Sequence, residues 1–218
     1  MTFFNLPPST VVNKVIPKNS FYPYANAKQK KEFADYISKI TWENKLSQDT
    51  LNLGSKEIHE IQVFNVQSKN QTDFDSLLHL IDRAVPYPII FIIWFENLAC
   101  ISTSVKHMHP TNIDRAVIDW TFKTDWLTSE EIKKYNFQLN TNIDKVYFEF
   151  CLQLAKSNSN SVKNILHLAE HNRKITQLEA EMNNLRSSIS KAQQFNQKVE
   201  LNLALQKKEI ELKTLKKL

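Results

Sequence analysis

The stretch Pro86-Tyr-Pro-Ile-Ile-Phe-Ile-Ile-Trp-Phe-Glu96 constrains the fold more than any other part of the chain. It is a continuous apolar run of β-branched and aromatic residues, far too short to span a bilayer. Such a run, opened by prolines, reads as a central strand buried on both faces. The prolines fit only at its start, because neither can donate to a sheet ladder.

The chain before this strand supplies a crossover partner. Residues 56–67 form an interior strand in which neither alternating face is wholly polar. A helix capped at Thr72 or Asp73 and carrying Phe74, Leu77, Leu78, Leu80 and Ile81 then leads into the central strand. Strand, helix and strand together have the length of a right-handed parallel crossover. Glu96-Asn97 is a tight turn, and residues 98–106 and 115–123 continue as an antiparallel meander. Upstream, a helix from Asn26 or Ala27 to about Ser38 precedes a short strand, residues 40–46. Residues 1–24 contain Pro7, Pro8, Pro17 and Pro23 among many apolar residues. That composition predicts an extended arm laid on the domain, with a short helix near Ser9–Lys14. Thr128-Ser-Glu-Glu131 has the pattern of a helix N-terminus. A final helix over residues 142–156 closes the domain.

The polar run Ser157-Asn-Ser-Asn-Ser161 is a hinge, and heptads begin beyond it. Leu168, Ile175, Met182, Ile189, Asn196, Leu203 and Ile210 occupy position a. His171, Leu178, Leu185, Ala192, Val199 and Gln206 occupy position d. A lone Asn at an a position selects a parallel two-stranded register. After Leu203 the stripe drifts to Leu201, Leu205, Leu212, Leu215 and Leu218. The drift fits either a stutter or an antiparallel hairpin folded near Ser187–Gln194.

These elements predict an α+β fold: a mixed β-sheet with flanking helices, built from one βαβ unit and an antiparallel meander, followed by a C-terminal coiled-coil helix or helical hairpin. The expected organisation is a domain over 1–156 with its N-terminal arm, a hinge at 157–161, and a helical arm over 162–218.

Composition excludes several chemistries. The chain has one glycine, Gly54, so no Walker loop, dinucleotide fingerprint or glycine-rich kinase loop exists, and no cofactor is expected. Cys100 and Cys151 lie in apolar surroundings as packing residues. The N-terminus has no secretory pattern and no segment approaches a membrane span, so a cytoplasmic chain that engages no membrane is expected. Residues 1–159 carry 17 basic and 17 acidic side chains, whereas residues 160–218 carry 11 and 6. The whole net charge of +5 therefore sits in the tail. A basic helix can follow a phosphate backbone, although lysine-rich outer heptad positions are ordinary in coiled coils.

Few constellations suggest chemistry. His167-Leu-Ala-Glu-His171 matches an inverted zinc-protease string but lies among the heptads with no third ligand, so no metal is assigned to it. His107-Met-His109 reads as two exposed loop histidines. The acidic strand is more suggestive: Glu57, Glu60 and Gln62, with Lys69 beyond and Asp49 on the preceding loop, outline a metal-dependent nuclease core. Gln62 stands where such a core needs lysine, so Glu60, Gln62 and Lys69 make at best a degenerate catalytic set. Of the four tryptophans, Trp94 is expected in the core and Trp120 in the core or half-buried, while Trp126 is the candidate for an exposed base-stacking contact.

Several segments resemble a bacterial and archaeal family of unknown function, numbered 4391 among such families. They are Thr10-Val-Val-Asn-Lys14, Pro17-Lys18, Lys45-Leu-Ser47, Glu60-Ile-Gln-Val-Phe64, Ile81-Asp82, Ala84-Val-Pro-Tyr-Pro-Ile-Ile-Phe91 and Gln194-Phe-Asn-Gln-Lys-Val-Glu-Leu-Asn202. The family carries no catalytic residues to transfer. The resemblance implies encoding beside helicases and methyltransferases of restriction or phage-defence islands, and hence an accessory role. It also implies that Phe195 and Asn196 form a docking knob or a turn.

The expected function is a non-enzymatic adaptor that pairs with itself or with a helicase or methyltransferase subunit through Leu178, Met182, Leu185, Ile189, Phe195, Asn196 and Val199. The alternative is a nuclease-like, nucleic-acid-binding subunit with Glu60 near a metal.

Overall fold

The computed structural model describes residues 4–109, 112–155 and 162–217. The chain divides into two compact units, residues 1–154 and 155–218. The expected hinge at 157–161 lies outside the described residues.

The first unit is an α+β fold on one mixed sheet. Its strands are β1 (Val11–Val15), β2 (Ile37–Ser47), β3 (Glu60–Ser68), β4 (Ile89–Phe95), β5 (Leu98–His109), β6 (Asn112–Lys123) and β7 (Leu127–Thr128). The spatial order is β1-β2-β3-β4-β5-β6, with β7 paired to the start of β5. The apolar run is β4, parallel to β3 from Gln62↔Ile89 to Gln67↔Trp94 and antiparallel to β5. Pro88 keeps its place outside the ladder, and its carbonyl accepts the Gln62 N–H at 2.9 Å.

Helices cover both faces. α1 (Ala27–Tyr36) opens on a capping box in which Asn26 and Gln29 satisfy each other's backbone N–H groups. α3 (Asp75–Ala84) is the crossover between β3 and β4. It buries Leu77, Leu78, Leu80 and Ile81 in a core with Phe33, Ile37, Ile40, Phe64, Phe91 and Ile93. Because strand residues alternate, Ile90 and Ile92 of β4 face the other side, where they too are buried. There α4 (Ile143–Leu154) brings in Tyr147, whose hydroxyl donates to the Ser104 carbonyl at 2.7 Å. Phe150 of α4 stacks on Phe137 and meets the edge of Phe4. A single turn, α2 (Gln48–Leu51), follows β2.

Five expectations are corrected. Ser9–Lys14 is not a helix: a 3₁₀ turn (Pro8–Thr10) leads into β1, whose pairing with β2 supplies ladder bonds that an isolated turn of helix lacks. Thr128 and Glu131 do exchange the bonds of a capping box, but only a three-residue 3₁₀ turn (Ile132–Lys134) follows. Trp94 is half-buried rather than fully buried, and Trp126 packs half-buried against the α1–α3 core instead of standing free. The segment of His107 and His109 belongs to β5, not to a loop.

The second unit is a helical hairpin of α5 (Ile165–Lys191) and α6 (Phe195–Lys217). Asn164 caps α5 by accepting the His167 N–H. The helix ends at Ala192 in extended backbone, so the frame that runs unbroken in the sequence is folded back on itself. This is the hairpin alternative and not the continuous helix. No described helix is long and apolar enough to cross a membrane.

Candidate functional site

Glu60 opens β3, and Gln62 follows on the same side of the strand. Lys45 of β2 is the cross-strand neighbour of Gln62. This register lets Lys45 Nζ reach Glu60 Oε1 at 2.6 Å, while Gln62 Nε2 donates to Glu60 Oε2 at 2.9 Å. The Glu60 hydrogen bond raises the Lys45 ammonium above the ordinary lysine value against some desolvation, and the charges of Glu60 and Asp49 add to it. Gln62 is 4 % exposed, and its Oε1 has no hydrogen-bond partner among the described residues. The other expected member of the set does not join them. Lys69 lies past the far end of β3, about 30 Å away at strand rise, and donates to the Ala34 carbonyl. Among the described residues no three His, Cys, Asp or Glu side chains converge as metal ligands.

The histidine strings are also occupied structurally. The His171 ring shares a 3.0 Å hydrogen bond with the Leu215 carbonyl across the hairpin. His107 Nδ1 meets Asp119 Oδ2 at 2.9 Å across the β5–β6 ladder. Cys100 and Cys151 are buried and unbridged, and burial pushes the Cys100 thiol up to about 11.

One polar centre escaped the sequence reading. Lys106 and Asp82 form a 2.7 Å ion pair with side chains 0 % and 1 % exposed. The same ammonium donates to the Asp82 and Val85 carbonyls at the end of α3. A cation there satisfies carbonyls that a helix C-terminus leaves without partners. Desolvation depresses the Lys106 pKa, and Asp82 partly offsets it. Both side chains are closed off from solvent, so the pair serves the packing of α3 on the sheet. The sequence signal was a lysine in a strand otherwise free of acidic and basic side chains as far as Val105.

The hairpin holds the remaining candidates. Ion pairs tie the helices together antiparallel: Glu179–Lys216 and Glu181–Lys208 at 2.8 Å, and Arg186–Glu209 at 3.3 Å. On α5, Leu178 and Met182 are buried, and Leu185 and Ile189 are half-buried. On α6 the half-buried leucines are Leu201, Leu205, Leu212 and Leu215, the drifted stripe of the sequence. At 100° per residue, this stripe lies opposite Phe195, Val199, Leu203 and Ile210. Those four are 78, 41, 54 and 65 % exposed. Asn196, expected to set a parallel register, is exposed beside the turn. α6 therefore carries two apolar faces, one turned to α5 and one to solvent. Of the seven residues expected to bind a partner, only Phe195, Asn196 and Val199 lie on the outer face.

A family model described as a domain of unknown function (DUF4391) matches residues 4–212. Nothing matches among the curated proteins or the solved structures.

Proposed function

Since the chain belongs to the DUF4391 family of domains of unknown function, we propose that it is a non-enzymatic accessory subunit that assembles through the outer face of its C-terminal hairpin. The carrying observation is the stripe of Phe195, Val199, Leu203 and Ile210, left in water on a helix whose opposite face already serves the hairpin. An apolar stripe of this kind marks an interaction surface. The setting proposed is a prokaryotic, cytoplasmic DNA-processing or phage-defence system with helicase or methyltransferase subunits. The excess of basic side chains in residues 160–218 suits a complex that works on nucleic acid. The test is affinity purification of the full chain from its native host, as wild type and as Leu203→Asp. Helicase or methyltransferase subunits should co-purify with the first and be lost from the second. An equal yield of them with both would overturn the reading.

A second reading rests on Gln62 Oε1, a buried acceptor beside Glu60 without a partner among the described residues. A divalent cation at Glu60 and Gln62 would use that oxygen and displace Lys45, as a nuclease-like site requires. Here Mn²⁺ should raise the melting temperature of the wild type but not of Glu60→Gln. Equal shifts for both, or none, dispose of this alternative.

A further inference from the structure

Resting on the hairpin as an assembly surface, we propose that the occupant of the outer face of α6 is α6 of a second copy of this chain, lying antiparallel, so that two hairpins line up as a single layer of four helices in the order α5, α6, α6, α5. The argument is one of register and charge. In the heptad frame, Asn196, Leu203 and Ile210 are a positions of the exposed face, and Val199, Gln206 and Lys213 are d positions. A parallel pairing sets each position against itself. It would bring two Lys213 ammonium groups together in the seam and would match no opposite charges at its flanks.

The antiparallel pairing sets a against d. Val199 then meets the partner's Ile210, Leu203 meets the partner's Gln206, and Lys213 meets the partner's Asn196, which accepts a hydrogen bond from it. The e positions now face each other, and they are Glu200 and Lys207. Two-fold symmetry makes this contact twice, as Glu200 with the partner's Lys207 and the reverse. Neither side chain has an ion pair among the described residues, whereas Glu179, Glu181, Arg186, Glu209 and Lys216 are engaged in closing the hairpin. Opposite charges at flanking positions set partner and orientation. The polar layers make the seam short, so the dimer belongs at the weak end of protein interfaces.

The test is the mass of the full chain by light scattering from about 10 µM to about 500 µM. A concentration-dependent dimer is expected. Glu200→Lys should weaken it tenfold or more, and Glu200→Lys with Lys207→Glu should restore it. For orientation, Val199→Cys mixed with Ile210→Cys should cross-link on oxidation far better than either alone. A monomer throughout, a Glu200→Lys protein of unchanged affinity, a swap that fails to restore, or cross-linking of Val199→Cys to itself would each overturn the proposal. If the chain stays monomeric while Leu203→Asp still loses its native partners, the second copy is excluded and the assembly surface stands. If both tests fail, the assembly surface falls too.

Discussion

At the scale of the residue, two charges are informative because both are held by backbone, the buried Lys106 and the half-buried Asp144. Lys106 gives all its donors to Asp82 and to the carbonyls that end α3. Lys106→Met would leave the Asp82 carboxylate uncompensated in the core, a change that costs about 3–5 kcal/mol, read as a lower urea midpoint. A loss below about 1 kcal/mol would mean that water reaches Asp82. Asp144 works at longer range, accepting the N–H groups of Lys56, Glu57 and Ile58. Burial raises its pKa, the three N–H groups lower it more, and the carboxyl ends below the usual aspartate value. Its stabilisation is therefore present above the unfolded pKa of about 3.9 and is lost as pH falls through the lower folded value. Asp144→Asn should lower stability by a constant amount from neutral pH down to about 5, and the gap to wild type should close in more acid solution. A gap independent of pH throughout would remove Asp144 as its source. Neither role was legible in the sequence, because both depend on contacts of 21 or more positions.

At the scale of the element, α6 is the one whose sequence supports two structures. Neither glycine nor proline forces the turn at Ala192–Gln194. The turn is favoured because folding back shelters Leu201, Leu205, Leu212 and Leu215 within one chain, whereas the unbroken frame needs a second chain to shelter Val199, Leu203 and Ile210. Periodicity located both stripes but could not rank them, since that choice is a matter of tertiary burial. Leu201 and Leu203 are two positions apart and point about 200° from each other. Leu201→Asp should melt the hairpin, seen as lost helical circular dichroism and a lower midpoint. Leu203→Asp should leave helicity unchanged. If the two variants lose helicity equally, the two faces are not distinct.

At the scale of the whole molecule, the topology was the most legible feature. The proline-opened apolar run gave β4, the strand–helix–strand spacing gave the parallel crossover, and alternation gave the meander. The N-terminal strand was missed because its five residues owe their conformation to β2 rather than to their own pattern. The candidate nuclease set was legible only in part: Glu60 and Gln62 adjoin, but their lysine comes from the neighbouring strand, and cross-strand register is invisible in a linear motif. The α1–α3 core lies wholly within residues 1–154. Residues 1–155 should therefore unfold cooperatively on their own, with a urea midpoint near that of the full chain; a fragment without a cooperative transition would refute this. The strand order from β1 to β6 is also the order of the chain. Each strand from β2 to β6 docks on the one made just before it, so loop closures stay short for a sheet of this size. On a ribosome the six strands from β1 to β6 can be laid down one by one as they emerge, and only the two-residue β7 returns to an earlier strand.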